Sequence, residues 1–205
     1  MPAAQLTLGV GRLIKPTSSL TVMLYYSHGH SRVVVRSLFI KGSVMEIIVK
    51  KPEKLNSVQL EDFESFVLAG GEVIAAELSS RIRNAEYLVL LSLDGSLAGI
   101  GAIKNPSTSY RQSISKKTDF SLDPALFPYE LGWVFVTPSA RGRGLSRNIV
   151  EKAIAHVKGV GVFSTTRTKN TPMHHTLEHC GFERKGHTYK SNRDEYCLQL
   201  FILAS

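Results

Sequence analysis

The sequence predicts a mixed α/β (α+β) domain in which helices cover both faces of a largely antiparallel sheet. Apolar runs of strand length alternate with amphipathic segments in the order β-αα-βββ-α-β-α-ββ, and no internal repeat interrupts this order. The apolar share of 43% and the charged share of 20% are ordinary for a globular protein. A length of 205 residues suits one domain with an appendage.

Residues 46–205 form the predicted domain, and residues 1–45 read as an N-terminal extension of different composition. The extension holds five basic residues, no acidic residue and short apolar bursts without a clear period. Three interpretations stay open for it: a disordered or translated upstream stretch that ends before Met45, a β-rich appendage, or a targeting segment. Transit peptides are rich in Arg and Ser and poor in acidic residues. We assign no function to this stretch.

The first half of the domain reads as one strand, two helices and a hairpin. A strand is expected at 45–50, and Ser57 can cap a helix over 59–68. The Gly70-Gly71 pair ends this helix, and a second helix is expected over 72–84. The inward positions are Leu60, Phe63, Phe66 and Val67 in the first helix and Val73, Ile74, Ala76, Leu78 and Ile82 in the second.

The hairpin has strands at 87–93 and 97–103, joined by the turn Asp94-Gly95. The polar residues 104–128 that follow are long enough to indicate a functional loop. In the second half of the domain, strands alternate with helices before a final pair of strands. Strands are expected at 130–136, 161–165, 182–190 and 195–203, and helices at 145–157 and 172–179.

Composition excludes several classes of protein. Of 25 basic and 17 acidic residues, five basic and no acidic ones lie in residues 1–45, so the domain itself is close to neutral despite a net charge of +8. This weakens the case for nucleic-acid binding. The two cysteines, Cys180 and Cys197, are too few for a disulfide scaffold, and a reduced, cytoplasmic setting is expected. No apolar run is long enough to predict a membrane span.

The most informative segment is the turn at 136–146, which links the strand at 130–136 to the helix at 145–157. Gly142 and Gly144 let a ligand approach the main chain closely, and the first turn of a helix leaves amide donors unpaired. Arg141 and Arg143 add charged hydrogen-bond donors. The segment is typical of a site for pyrophosphate. A plain structural turn and an Arg-Gly nucleic-acid tail are the alternatives.

Two motifs resemble those of the GNAT-type N-acetyltransferase superfamily. The pattern Arg/Gln-x-x-Gly-x-Gly/Ala is matched by Arg141, Gly144 and Ser146, with serine at the last place. An Asn followed eleven residues later by Gly-Phe is matched by Asn170 and Gly181-Phe182. The resemblance covers residues 46–203.

The resemblance implies that acetyl-CoA lies where the sheet splays between its fourth and fifth strands, here 130–136 and 161–165. Main-chain groups of the fourth strand would bind the pantetheine arm, the glycine turn would hold the pyrophosphate, and Asn170 would contact the cofactor further along. The implied cofactor-binding residues are Val134, Phe135, Val136, Arg141, Gly142, Arg143, Gly144, Leu145, Ser146 and Asn170. No metal is implied.

Glu130 is the candidate catalytic base. Six residues at about 3.3 Å each place it roughly 20 Å from Val136, toward the end where the thioester should lie. A glutamate at the corresponding place is the base in the histone-acetylating branch of the family. A solvated acid at the start of a strand is the alternative interpretation.

The usual general acid of the family, a tyrosine five residues before the Phe of the second motif, is absent, because Leu177 stands there. Tyr110, Tyr129, His174 and Cys180 could approach the site, and the sequence does not rank them.

The predicted function is transfer of an acetyl group from acetyl-CoA to a primary amine, directly within a ternary complex. The acceptor, a small molecule or a protein amine, cannot be read from the sequence, and a homodimer is conceivable; neither nucleic acid nor membrane is an expected partner. A non-catalytic acyl-CoA-binding module on the same fold is the alternative. A zinc peptidase is a third, weaker hypothesis, because His175, Glu178 and His179 match the pattern H-x-x-E-H.

Overall fold

The computed structural model describes residues 20–23, 37–40, 43–73, 75–192 and 195–205. The chain divides into two compact units, Met1–Met45 and Glu46–Ser205. In the first unit, strand β1 (Leu20–Met23) pairs antiparallel with strand β2 (Ser37–Ile40). The three interpretations of residues 1–45 stay predictions, because most of this segment lies outside the described residues.

The remaining strands form one seven-stranded sheet in the order β3-β4-β5-β6-β7-β9-β8. Strands β6 and β7 run parallel, and every other pair with a described register is antiparallel. The mixed, largely antiparallel sheet predicted from the sequence is therefore confirmed. Its strands are β3 (Met45–Lys50), β4 (Tyr87–Leu93), β5 (Ser96–Lys104), β6 (Tyr129–Val136), β7 (Val162–Arg167), β8 (Glu183–Lys190) and β9 (Cys197–Leu203).

The described residues form five α-helices and two short 3-10 helices. The α-helices are α1 (Ser57–Ala69), α2 (Leu78–Arg83), α3 (Thr108–Thr118), α4 (Leu145–Ala155) and α5 (Thr171–His179). The 3-10 helices are Pro52–Lys54 and Pro138–Ala140. None of the helices in this described part of the chain is long and apolar enough to cross a membrane.

Helices cover both faces of the sheet, as the alternation along β4 shows. Val89 and Leu91 join the core that α4 covers, whereas Leu88 and Leu90 join the core that α1 and α2 cover. Successive side chains of a strand point to opposite faces, so a strand in the middle of the sheet supplies both cores. Helix α3 packs against β8 and contributes Ile114 to a third cluster, beside Phe163.

Helix α3 lies within the segment that the sequence predicts as a functional loop. Its sequence has only Ile114 as a large buried aliphatic residue, with Arg111 and Thr118 as the other buried positions. Ser107 caps the helix by accepting a hydrogen bond from the amide of Tyr110 at 3.3 Å. The sequence did not predict this helix within 104–128, because a helix that buries only a narrow, largely polar stripe lacks the apolar period.

The two early helices also differ from expectation. Asn56, not Ser57, is the N-cap of α1: its side chain accepts from the Gln59 amide at 2.9 Å, and the Gln59 side chain accepts from the Asn56 amide at 3.2 Å. Helix α2 begins only at Leu78, after Glu77 adopts a left-handed φ of 57°. The predicted helix over 72–84 is thus too long.

Of the inward positions predicted for this second helix, Leu78 and Ile82 are buried, Val73 is half-buried and Ala76 is exposed. Ile74 lies outside the described residues.

A β-bulge in β6 changes which side chains share a face. β6 has one residue more than β5 over the stretch opposite Ile100 and Ala102, and Trp133 in this stretch has a left-handed φ of 53°. The extra residue reverses the alternation, so Trp133 and Phe135 lie on the same face as Glu130 and pack beside α1. In a regular strand these two odd-numbered positions would lie on the face opposite Glu130. Both side chains pack against the core beneath α1.

The capping box at the start of α1 gives a direct test. Asn56→Ala should lower the free energy of unfolding by about 0.5–2 kcal/mol, because the Gln59 amide loses its side-chain acceptor. Ser57→Ala is the matched control and should change it by less than about 0.5 kcal/mol. Urea unfolding measures both. A larger loss for Ser57→Ala than for Asn56→Ala would contradict the assignment.

Candidate functional site

The parallel strands β6 and β7 are paired over only two residues. Tyr129 lies opposite Val162 and Glu130 lies opposite Phe163. Beyond this point β6 follows β5 to its end, and β7 follows β9 to its end. The two strands therefore part and leave a wedge between them, which we call the β6–β7 wedge. The predicted splay of the sheet is confirmed. A wedge of this kind leaves main-chain groups on its walls without a strand partner, ready for an extended ligand with amide groups.

The wide end of the wedge leads into the glycine turn. Gly142 and Gly144 have φ values of 77° and 72°, and a Cβ at either position would meet nothing within 4 Å. Gly144 is the N-cap of α4 and no side chain caps it. The N-terminus of α4 thus faces open space with its first amide groups uncapped by side chains. It can bind an anion through these amides and the helix dipole.

The side chains predicted around this turn have different surroundings. The Arg141 Nε donates to the carbonyl oxygen of Val136 at 3.2 Å, and its guanidinium lies 5.9 Å from the Phe135 ring centroid. Both arginines are exposed, whereas Leu145 is buried in the core. Arg141 thus stabilises the end of β6 in this structure, and both guanidinium groups are accessible at the turn.

Two other predicted cofactor residues lie against helix α5. The Ser146 hydroxyl is 3.3 Å from the Thr176 hydroxyl. The Asn170 side chain caps α5 by accepting from the Met173 amide at 3.3 Å. Val134 and Phe135 are half-buried on the open part of β6. Asn170 thus has a structural role as a cap, and contact with a cofactor stays a prediction for these residues.

Glu130 lies at the narrow end of the wedge and is only 4% exposed. Its Oε2 accepts from the Lys104 Nζ at 2.8 Å, and its Oε1 accepts from the Tyr110 hydroxyl at 3.0 Å. Lys104 is the cross-strand partner of Glu130 in the β5–β6 register, and Tyr110 reaches it from α3. The Lys104 Nζ also lies 5.3 Å from the Trp133 ring centroid. Both carboxylate oxygens therefore have a donor.

Further polar groups surround this carboxylate on the same face. The Thr165 side chain of β7 interacts with the hydroxyls of both Tyr110 and Tyr189. Arg111 of α3 donates to the carbonyl of Pro128 at 2.9 Å and to that of Phe127. We call Lys104, Tyr110, Glu130, Thr165 and Tyr189 the wedge-base cluster. It joins five elements: α3, β5, β6, β7 and β8.

The two tyrosines of the cluster hold their protons strongly. Burial of the hydroxyl raises the pKa of Tyr110 well above 10.0, and the Glu130 charge raises it further. The residue as a whole is nevertheless 39% exposed. Burial is also the main cause that raises the pKa of Tyr189 to about 12. Both hydroxyls are thus neutral donors near neutral pH.

The other candidate acids lie away from Glu130. Tyr129 points to the opposite face, where it packs against the core under α4, and burial raises its pKa. The His174 Nε2 is 2.9 Å from the carbonyl oxygen of Arg167, and its ring packs on Phe201. Leu177, at the position of the usual acid, is fully buried in the core.

Cys180 is half-buried between α4 and α5, and burial raises the pKa of its thiol. Only Tyr110, among the four candidates, contacts Glu130.

Sequence reasoning missed Lys104, Thr165 and Tyr189. Lys104 lies opposite Glu130 in the β5–β6 register. Helix α3 separates these two strands, so no short turn fixed that register from the sequence. Tyr189 and Thr165 gave no local signal, since they meet only when β7, β8 and β9 are assembled.

The far end of β7 carries a second contact between segments. The Arg167 Nε is 3.0 Å from the Glu72 carboxylate in the segment after α1, and its guanidinium lies 3.9 Å above the Tyr196 ring. Both charged side chains are about half exposed, at 40% and 51%.

The H-x-x-E-H segment does not assemble a metal site in the described part of the chain. His175 is 75% exposed, and the Glu178 carboxylate accepts from Arg184 at 2.7 Å. No group of three or more His, Cys, Asp or Glu side chains able to hold a metal occurs among the described residues. The zinc-peptidase hypothesis therefore has no geometric support.

A sheet that splays at a parallel pair, with a glycine-lined helix N-terminus at the wide end, is the architecture that the resemblance to N-acetyltransferases implies. The sequence model of the acetyltransferase (GNAT) family matches residues 53–182. The chain belongs to this family, and the resemblance seen in its two motifs is confirmed. A comparison with curated proteins found no match.

Solved structures share the fold at low sequence identity. ElaA of Escherichia coli is 14% identical, with a TM-score of 0.56 over 78% of this chain and 99% of that chain. YncA of Salmonella typhimurium, solved with its cofactor acetyl-CoA, is 14% identical, with a TM-score of 0.53 over 78% of this chain and 93% of that chain. The ribosomal-protein-S18-alanine N-acetyltransferase of Escherichia coli is 15% identical, with a TM-score of 0.55 over 78% and 94%.

The tyrosines of the wedge-base cluster make stability fall at high pH. Above pH 10.0 the unfolded chain loses tyrosine protons that the folded protein keeps, so the free energy of unfolding decreases as the pH rises toward 12. The double variant Tyr110→Phe/Tyr189→Phe should lose less stability over this window than the wild type. Urea unfolding gives the free energy of unfolding of both proteins across this pH range, and each value is compared with that of the same protein at neutral pH. Parallel curves for the two proteins would contradict the raised pKa values.

Proposed function

We propose that this protein is an acyl-CoA-dependent N-acyltransferase that moves an acetyl group from acetyl-CoA directly to a primary amine within a ternary complex. The observation that carries this proposal is the β6–β7 wedge, which opens toward the uncapped N-terminus of α4. The wedge has a place for an extended pantetheine arm, and the glycine turn has a place for pyrophosphate. Family membership and the acetyl-CoA bound in YncA support the same co-substrate.

The proposed arrangement assigns roles along the wedge. Main-chain groups of Val134–Val136 bind the amides of the arm, and the amides from Gly142 to Ser146 bind the pyrophosphate together with Arg143. With the pyrophosphate at the glycine turn, the thioester lies at the narrow end of the wedge, toward Glu130. The thioester supplies the activated acyl carbon. Main-chain donors on the open part of β6 can polarise the thioester carbonyl, which is a large source of rate enhancement in acyl transfer.

Glu130 is the proposed proton acceptor. An amine with an ordinary pKa of about 10.4 needs about 4–5 kcal/mol to lose its proton at neutral pH, so a nearby base lowers the barrier. Its burial and its two hydrogen-bond donors hold the carboxylate in one position at the base of the wedge.

The alternative is a binding module that holds acyl-CoA without turnover. One observation favours it: Leu177 fills the place of the usual acid with a fully buried core side chain. The acceptor stays open, since the walls near Glu130 carry both charges, with Lys104 and Arg111 beside the carboxylate. A cytoplasmic location also stays a prediction, and the unpaired Cys180 and Cys197 support it.

Acetyl-CoA binding tests the wedge and the turn together. Calorimetry should detect acetyl-CoA binding by the purified protein, and Arg143→Ala should weaken it about 10-fold, because a charged hydrogen bond contributes about 1.5–3 kcal/mol. Binding of S-acetylpantetheine, which lacks the diphosphate, should not change in this variant. No binding of acetyl-CoA by the wild type would overturn the proposed function. An equal effect of Arg143→Ala on both ligands would overturn the role of the turn.

Turnover tests the catalytic half of the proposal. Thiol release from acetyl-CoA should be measured with spermidine, lysine, kanamycin and a lysine-containing peptide as acceptors. Glu130→Gln should lower kcat at neutral pH by about 100-fold or more and leave the Kd for acetyl-CoA nearly unchanged. Acetyl-CoA binding without thiol release for every acceptor would support the binding module instead. An unchanged kcat in Glu130→Gln would remove Glu130 as base.

A further inference from the structure

We propose that the Tyr110 hydroxyl relays the proton between the acceptor amine and Glu130, so that Glu130 accepts the proton through Tyr110 and does not touch the amine itself. The inference rests on the proposed function, and it assigns a catalytic role to a side chain of α3, a helix that the sequence alone did not reveal.

The first step in the argument is the enclosure of the carboxylate. Glu130 is 4% exposed, and each of its oxygens already has a donor: Lys104 on Oε2 and Tyr110 on Oε1. An amine at the thioester therefore meets one of these two donors before it meets the carboxylate. An ammonium group such as that of Lys104 has no lone pair and cannot take up a proton. A tyrosine hydroxyl can donate and accept at once.

The second step is the position of the hydroxyl between the walls of the wedge. Tyr110 contacts Glu130 on the β6 wall, and it interacts with Thr165 on the β7 wall. Glu130 belongs to the last pair before the strands part, and Thr165 lies just beyond that point on β7. The hydroxyl thus lies at the narrow end of the wedge, where the proposed arrangement places the thioester.

The third step is the protonation state of the groups that face this hydroxyl. The Glu130 carboxylate from β6 and the Tyr189 hydroxyl from β8 act on it electrostatically, and the Thr165 side chain from β7 hydrogen-bonds it. Lys104 from β5 and Arg111 from its own helix act on Glu130. Burial and the Glu130 charge raise the pKa of Tyr110, so the hydroxyl keeps its proton near neutral pH and donates it to the carboxylate. The acceptor capacity that Thr165 leaves on this oxygen is available to the acceptor amine.

The proposed step balances in atoms and protons. The ammonium group of the acceptor first loses one proton to the Tyr110 oxygen, while the Tyr110 proton moves to Oε1 of Glu130. The neutral nitrogen then forms a bond to the acyl carbon and releases its second proton to water. The carbon–sulfur bond breaks and the sulfur leaves as a thiolate. The proton then returns from Glu130 through Tyr110 to the thiolate, which gives the amide and the free thiol. Tyr110 in this way also replaces the acid that is missing at Leu177.

A double-mutant cycle tests the relay, with the acceptor that responds in the four-amine panel. Tyr110→Phe should lower kcat by about 100-fold or more, with the Kd for acetyl-CoA by calorimetry within about threefold of the wild type. The double variant Tyr110→Phe/Glu130→Gln should lose no more than the worse single variant, because members of one relay are not additive. Independent roles would instead multiply the two losses, and that result would overturn the relay.

A pH profile separates the relay from a merely structural role. The ratio of the wild-type kcat to the Tyr110→Phe kcat should decrease as the pH rises toward the pKa of the acceptor amine, because a neutral amine needs less help from a base. A ratio that stays constant with pH would overturn the relay. Thermal melting checks that the variant is folded.

Tyr129→Phe is the matched control. It removes a half-buried hydroxyl from the residue next to Glu130, on the opposite face of β6, and should leave kcat unchanged. Turnover by the wild type together with an undiminished kcat in Tyr110→Phe would overturn the relay and leave the proposed function intact. Binding of acetyl-CoA without turnover by the wild type would overturn the relay together with the catalytic half of the proposed function.

Discussion

The pairing of β6 with β7 over only two residues is the constraint on which the rest of the site depends. Each strand has a second neighbour, β5 or β9, that it follows to its end, so the two halves of the sheet twist apart from a common base. Main-chain groups that a closed sheet would bury stay available on both walls. The bulge at Trp133 adds to this effect, because a left-handed residue in the open part of β6 increases the local twist.

The narrow end of the wedge holds an ion pair between Lys104 and Glu130. Glu130 is buried, and Lys104 opposite it prevents an uncompensated charge in a low-dielectric environment. Gly132 makes this pairing sterically feasible, since a Cβ there would lie 2.6 Å from the Lys104 Cε. A larger residue at this position would oblige the flexible end of the Lys104 side chain to shift. Beside this pair lie two tyrosines whose burial raises their pKa values.

The sequence predicted well those features that are local or that follow a period. The hairpin of β4 and β5, the glycine turn before α4 and the short helix α5 were all within reach, since each carries its own turn or cap residues. The capping of α1 was missed by one position, because Asn56 and Ser57 are both good caps and only the Gln59 partner distinguishes them. Helix α3 was missed because its buried side is largely polar.

The wedge-base cluster shows why part of the site lay beyond the sequence. Glu130 was found from its place at the start of a strand, whereas Lys104 lies opposite it in the β5–β6 register, which no short turn fixed from the sequence. Tyr189 reaches the cluster after β8 bends at Gly186, where φ is 62° and the Thr118 backbone packs closely. The meeting of β8 with α3 depends on tertiary packing, and no periodic pattern encodes it.

The contact between Glu72 and Arg167 affects the local motion of the segment that follows α1. It ties the irregular segment between α1 and α2 to the tip of β7, across a sequence separation of 95 residues. An ion pair this exposed contributes only about 0–1 kcal/mol, and salt screens it. Thermal energy is therefore enough to undo it, and its occupancy varies with ionic strength. The segment after α1 can therefore separate from the tip of β7 at little cost in free energy, without any change in the pairing of β7 with β9.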